Sequence, residues 1–385
     1  MIPKNPEQWA KIDRFLMSFS PKEKIAIIHD ADPDGLCSSV VLSRMIERLR
    51  GKPADFHYST RKLVRNSVTP DILKMLKSRK IFKVIFTDLP VHEDAASIKR
   101  LEKQCEILVI DHHAFFHDIT SERAVLAMPQ LLADEVDPSR YPASKLAYDF
   151  ADRHVGIEDV AWIAAIGLIG DMAGSAWPEF LAQVFERHKI KPNPKDWFKT
   201  ELGKVSELLL AAMIIDDKNI NYCYDVLMKA KAPADILKDK KLVSLRKSLE
   251  KEISKWARLA PKIAQKDETL KLIWYEITPK YHINSPLSTM LSLDTKYYDY
   301  AIIIVDKGKD IVRVSGRCQS QRVRMNELLK SAVKGLKSAN GGGHVPAAGA
   351  HFRPADLQRF RQRIVNALGK NLYTNKKNQE QQRGE

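Results

Sequence analysis

Residues 24–35 read KIAIIHDADPDG: an apolar run, then three alternating aspartates and a glycine. The run 24–28 has the length and β-branched content of a buried strand, and 36–49 (LCSSVVLSRMIERL) carries apolar residues at helical spacing. Strand, acidic turn and helix in that order make half of a βα unit. Asp30, Asp32 and Asp34 then fall just beyond the carboxyl end of a strand, where open α/β sheets place their ligands. The same pattern, D-x-D-x-D-G, also opens an EF-hand calcium loop. That loop needs a bidentate Glu at its twelfth position, and counting from Asp30 the twelfth is Val41. It also follows a helix instead of a strand, so the calcium reading fails on both counts.

Moving outward, the geometry recurs. Asp88 follows an apolar run at 83–86 (KVIF), and Asp111 follows another at 106–110 (EILVI) and is itself followed by His112 and His113. Asp171 ends the run AAIGLIGD. A single Asp in such a place reads as a turn former or helix cap; four acidic segments at coincident topological positions do not. Carboxylates crowded at one edge repel one another unless cations neutralise them. Carboxylates with a histidine suit Mn²⁺, with Mg²⁺ as the alternative, better than a thiolate-preferring ion. Two such ions about 3.5–4 Å apart can share a carboxylate, generate hydroxide and steady the leaving oxygen of a phosphoester.

The 385 residues give room for two domains, and an apolar content of 44% excludes global disorder. The longest apolar run, 160–170, is well short of the roughly 18 residues needed to span a bilayer. The start, MIPKNPEQW, lacks a charged-then-apolar signal pattern. Cys37, Cys105, Cys223 and Cys318 are far apart with no C-x-x-C pair, which argues against a disulfide scaffold or a cysteine zinc site. Together these features lead us to expect a cytoplasmic protein with no membrane partner.

Alternating strand and helix patterns run to about residue 190, and KIKPNPK then marks a break. The expected organisation is an N-terminal helix (1–22), a parallel-sheet domain (23–192), a helical linker (193–265), a smaller α/β domain (266–369) and a disordered tail (370–385). In the linker, Leu242, Leu245, Leu249, Ile253, Trp256 and Leu259 recur every three or four residues. In the smaller domain, 270–275 and 300–305 read as strands and 326–336 as a helix.

With the motifs in place, the chain resembles the DHH phosphoesterases. DADPDG matches the first motif, TDLP the second, DHH the third and GLIGD the fourth. It also resembles the DHHA1 subclass: Gly341, Gly342, Gly343 and His344, followed by AAG, match its glycine-rich loop, and VSGR (314–317) matches the strand that carries Ser315 and Arg317. The resemblance covers roughly 24–190 and 270–365. It implies a DHH domain and a DHHA1 substrate-binding domain with the active site in the cleft between them. It also implies a two-metal site in which Asp30 and Asp32 hold one ion, Asp34, His112 and Asp171 the other, and Asp88 bridges them. By the same resemblance Asp111 orients the imidazoles, and His113 faces the scissile phosphate as phosphate binder or proton donor. Many relatives open the first motif with a histidine ligand; here His29 precedes the matching position, so Asp30 is taken as the ligand and His29 as packing.

Glycines without Cβ atoms let backbone N–H groups approach an anion, and Arg317 and His344 can grip a phosphate beside them. The chain holds 63 Lys and Arg against 48 Asp and Glu, a net of +15. Such a surplus is a soft functional hint whose bland reading is solubility. Nine cations between 307 and 337 against Asp310 and Glu327, however, place a local +7 around the glycine segment and favour a polyanion. Tyr281, Tyr297, Tyr298 and Tyr300 offer stacking surfaces, although packing is their commoner use.

The leading expectation is a RecJ-like, archaeal-type exonuclease of single-stranded DNA or RNA, with replication or repair proteins and a second copy of the chain as further candidate partners. A phosphodiesterase of nano-RNA or cyclic dinucleotides, or an exopolyphosphatase, is the alternative. A non-catalytic replication scaffold is disfavoured because the acidic motifs are retained.

Overall fold

The structure, a computed structural model, describes residues 4–59, 67–133 and 136–382, with side chains for all of these except His344 and residues 371–382. By internal contacts it divides into two units, 1–246 and 247–385.

The first unit is built on five parallel strands: β1 (Ile25–His29), β2 (Phe56–Ser59), β3 (Lys83–Thr87), β4 (Glu106–Ile110) and β5 (Ala124–Ala127). Their order is β2-β1-β3-β4-β5, with every neighbouring pair parallel. The period of two along β1 sends Ile25 and Ile27 into one core and Ala26 and Ile28 into another, so both faces are covered, as a parallel sheet requires. The helices Pro33–Arg50, Ala143–Val155 and Ala161–Gly170 pack on the first face, and Pro70–Arg79 and Ala95–Leu101 on the second. Strand order reverses between β1 and β3, and that switch point opens a crevice at the carboxyl ends of the strands. The N-terminal helix Pro6–Met17 is fastened beside β5 by Gln8, which donates to the Leu126 carbonyl, and by Trp9, which donates to that of Leu132.

The stretch expected to be a linker from 193 onward is used differently. Helices Glu201–Ile215 and Asn219–Lys229 bury Leu202, Val205, Leu209, Cys223 and Leu227 in the same core as the Pro33–Arg50 helix. Helix 201–215 is apolar nearly all round, which suits an interior helix instead of a spacer. The division between the units falls inside the next long helix, Lys240–Ile263. Among the described residues no helix is long and apolar enough to cross a membrane.

The second unit is a six-stranded mixed sheet of β6 (Gln265–Asp267), β7 (Leu272–Ile277), β8 (Ala301–Lys307), β9 (Val312–Arg317), β10 (Asn340–His344) and β11 (Ala347–Phe352). The order is β10-β11-β9-β8-β7-β6, antiparallel except between β7 and β8. The glycine segment is therefore not a loop but the edge strand β10, in register with β11, whose own AAG matches it in small residues. Beyond 370, where disorder was expected, the final helix Leu357–Gln382 continues.

Candidate metal centre

The turn after β1 is shaped by its own acidic residues. Asp32 caps the Pro33–Arg50 helix, its carboxylate accepting from the Gly35 N–H at 2.9 Å, with Pro33 at the first helical position. Asp30 accepts from the Ala31 N–H at 2.7 Å. A Cβ on Gly35 would lie 2.7 Å from the Asp30 carbonyl oxygen, so the glycine is what lets the turn close.

Asp34 is buried on the first turn of the same helix. Its Oδ2 accepts from the Ala143 N–H at 2.8 Å, and its Oδ1 from the Ser144 N–H at 3.0 Å and from the Ser144 hydroxyl. Ala143 and Ser144 open the Ala143–Val155 helix, which has no capping side chain of its own, so Asp34 satisfies its first donors. A Cβ on Gly167 would lie 2.5 Å from the Ser144 hydroxyl oxygen and 3.0 Å from Asp34 Oδ1. The glycine of GLIGD thus admits the Ala161–Gly170 helix to this contact.

Asp88 follows β3 with φ of 59°, a left-handed conformation that Asp tolerates better than most residues, and its N–H donates to the Ile110 carbonyl at 2.9 Å. His112 stands at the centre of the group. Its Nε2 lies 3.4 Å from Asp88 Oδ1, 3.8 Å from Asp171 Oδ2 and 4.0 Å from Asp34 Oδ2. Donor atoms of Asp30, Asp32 and Asp88 lie within 4.8 Å of one another, as do those of Asp88, His112 and His113. Asp88 is common to every one of these groupings. Asp111 and His113 form a separate pair at 2.7 Å between Oδ1 and Nδ1.

Burial, and then the charge of Asp32, pushes Asp34 up to about 7. Burial followed by the charges of Asp34 and Asp32 pushes Asp171 up to about 8, and Asp88 is raised strongly by burial and by its acidic neighbours. These carboxylates raise one another, with the His113 charge opposing the rise at Asp171. Oxygen donors in such number with one central imidazole fit a hard divalent cation such as Mn²⁺ or Mg²⁺. Around His113 the balance is reversed. Burial alone would lower this histidine, but the hydrogen bond to Asp111 and the charges of Asp111, Asp30 and Asp171 raise it to about 9. Asp111, which burial would raise, is held below the ordinary range by that bond and by the neighbouring imidazoles. His29 is fully buried, with burial lowering it to about 3 and its Nδ1 2.8 Å from the Asp30 carbonyl oxygen.

Three supporting residues escape sequence reasoning. His92 is fully buried, with Nδ1 3.5 Å from Asp111 Oδ2 and Nε2 3.1 Å from the Ala114 carbonyl oxygen. Gln130 donates to the His113 carbonyl at 2.8 Å. His92 had one available signal, its place four residues after Asp88. Ser144, the anchor of Asp34, had none.

In the second unit, Arg317 ends β9 and is paired in register with Ala347, which pairs in turn with His344. The Arg317 Nε is buried with no hydrogen-bond partner, and burial lowers the guanidinium's pKa. Gly342 and Gly343 pair with Gly349 and Ala348. The His344 side chain is outside the described residues. The Ser315 hydroxyl is buried against that of Ser288 at 2.8 Å, so it is engaged within the unit. Part of the nine-cation stretch is engaged too. Arg322 donates to the carbonyls of Asp299, Leu270 and Lys271, Arg324 pairs with Glu327 at 2.6 Å, and Lys307 pairs with Glu276 at 3.0 Å. Tyr300 is buried and Tyr298 exposed.

An open parallel sheet with an acidic cluster at its switch point, followed by a separate mixed-sheet unit, has direct counterparts among known proteins. Residues 24–168 match the DHH family N-terminal domain and residues 282–370 the DHHA1 domain. The chain belongs to the DHH/DHHA1 family and has its phosphoesterase fold. Among solved structures it is similar to RecJ in complex with Mn²⁺ from Thermus thermophilus, with a TM-score of 0.68 and 17% identity over 96% of this chain and 55% of that one. It is similar as well to a manganese-bound exonuclease RecJ, with a TM-score of 0.66 and 19% identity over 96% and 95% of the two chains. A third similar structure is a DHH domain described as a member of a family of ribosomal proteins, with a TM-score of 0.66 and 16% identity over 94% and 90%. No curated protein matches the chain in sequence.

Proposed function

We propose that the protein is a divalent-metal-dependent phosphodiesterase that removes terminal nucleotides from single-stranded nucleic acid. The observation that carries this reading is the convergence of the Asp34, Asp88 and Asp171 carboxylates on His112, with Asp30 and Asp32 grouped around the same Asp88. Asp30 and Asp32 would hold one ion, Asp34, His112 and Asp171 the other, and Asp88 both. Bound there, Mn²⁺ or Mg²⁺ supplies Lewis-acid polarisation of the phosphoryl group and lowers the pKa of water. His113, raised to about 9, is cationic at neutral pH and half-exposed, so it can bind a phosphate oxygen or protonate the leaving oxygen. Asp111 fixes the imidazole for that task.

Charge supports a polyanionic substrate. Residues 247–385 contain 26 Lys and Arg against 13 Asp and Glu, a net of +13 that leaves +2 for residues 1–246. Lys247, Lys251, Lys255, Arg258 and Lys262 are exposed at steps of four, four, three and four along one helix, which places them on one face over about 22 Å. Arg317, with its orphaned Nε, is the residue we assign to gripping a phosphate.

Polyphosphate would suit the same cations, so exopolyphosphatase activity is the second reading. The test is hydrolysis of 5′- and 3′-labelled DNA and RNA of several lengths, with polyphosphate and a cyclic dinucleotide alongside, in Mn²⁺. Stepwise shortening of long single strands is the expected result. Cleavage confined to polyphosphate, to dinucleotides or to pentamers and shorter would replace the reading.

A further inference from the structure

Ten large apolar side chains are exposed among the described residues, and three of them, Phe115, Phe116 and Met172, lie within four residues of a candidate ligand. Phe115 and Phe116 are 41% and 54% exposed and follow DHH after Ala114. Their backbone is not loose. The Gln130 amide donates to the His113 carbonyl at 2.8 Å, the His92 imidazole sits 3.1 Å from the Ala114 carbonyl oxygen, and Ile119 is buried further along. Both rings also rest near the His92 ring, with centroids 6.5 and 6.4 Å away, and His92 in turn reaches the Asp111 carboxylate. Two aromatic faces are therefore held open to solvent on a pinned segment, one imidazole removed from the Asp111–His113 pair.

We infer that Phe115 and Phe116 form a stacking platform for the base of the nucleotide whose phosphate is engaged at His113. The inference rests on the phosphodiesterase reading and narrows it to substrates that carry bases. Aromatic faces stack any base and contribute nothing to a bare phosphate chain, so the platform selects nucleic acid over polyphosphate without selecting sequence. A contact for the phosphate and an aromatic face for the base are the two parts that single-strand recognition combines.

The test compares kcat/KM of the full chain, with Mn²⁺, on two single strands that differ only in having a base or an abasic sugar at the terminal nucleotide. The wild type should prefer the base-bearing end by roughly ten- to a hundredfold. Phe115→Ala/Phe116→Ala should bring that ratio close to one, and Phe115→Trp/Phe116→Trp should keep it. No preference in the wild type, a ratio unchanged in the double alanine variant, or loss in the tryptophan variant overturns the platform while leaving the phosphodiesterase reading intact. A wild type that cuts neither strand overturns that reading, and the platform falls with it.

Discussion

The His112 Nε2 lies 3.4 Å from the Asp88 carboxylate, and Asp88 holds its position through a left-handed backbone that ties the end of β3 to β4. Strain of this kind persists only where the surroundings over-determine it, and it clusters at functional sites. Asp88→Ala should remove hydrolysis and reduce bound Mn²⁺, with an unchanged circular dichroism spectrum. Retained turnover in that variant would remove Asp88 from the centre.

A pH dependence follows from the crowded carboxylates. An ordinary Asp titrates near 3.9, whereas Asp34 is raised to about 7 and Asp171 to about 8 in the folded chain. The folded state without metal therefore binds more protons than the unfolded one over this window, and its stability falls as pH rises from about 4 to 8. Metal binding requires the carboxylates ionised, so affinity should rise over the upper part of the same window. Thermal melts after chelation, at pH 5 and pH 8, with and without Mn²⁺, test this. A metal-free Tm that climbs steadily to pH 8, with no gain on adding Mn²⁺, would contradict it.

Arg317 and Arg322 are both half-buried cations of the second unit, with opposite assignments. Arg322→Ala leaves the Asp299, Leu270 and Lys271 carbonyls without their donor and should cost about 1–3 kcal/mol of stability. Arg317→Ala removes a guanidinium whose Nε has no protein partner. It should raise KM at least tenfold, with Tm and metal content unchanged. Circular dichroism melts beside steady-state kinetics separate the two; an Arg317→Ala variant that melts early with unchanged KM would reverse the assignment.

The strands that carry the site were legible because parallel-sheet interiors are written as short, continuous apolar runs, and 24–28, 83–86 and 106–110 are such runs. β2 (FHYS) and β5 (AVLA) are four-residue edge strands with too little pattern to stand out. The linker expectation differs from the structure because a largely buried helix and a connecting helix both read as apolar at helical spacing; only packing separates 201–215 from 240–263. GGGH resembled an anion-binding loop because glycine gives no strand signal, yet a glycine run can serve as an edge strand when a partner such as β11 supplies the register. Asp34 was legible, but Ser144 was not. It lies 110 residues away, and only the fold brings its helix to that carboxylate.

His92 should act through Asp111. His92→Ala should lower kcat by about tenfold or more, since a misplaced orienting group costs rate before it costs binding. His92→Gln, which can keep the hydrogen bond to the Ala114 carbonyl, should recover part of the loss. Equal losses in both variants, accompanied by a lowered Tm, would reduce His92 to a packing residue.

The central claim is that Asp30, Asp32, Asp34, Asp88, His112 and Asp171 form one two-ion centre around Asp88. Counting bound Mn²⁺ per chain by equilibrium dialysis, with single-strand hydrolysis measured on the same samples, tests it most directly. The account predicts about two ions for the wild type, as in two-metal phosphoester sites, and loss of hydrolysis in step with their removal. Undiminished hydrolysis after exhaustive chelation, or a wild type that binds no Mn²⁺, would contradict it.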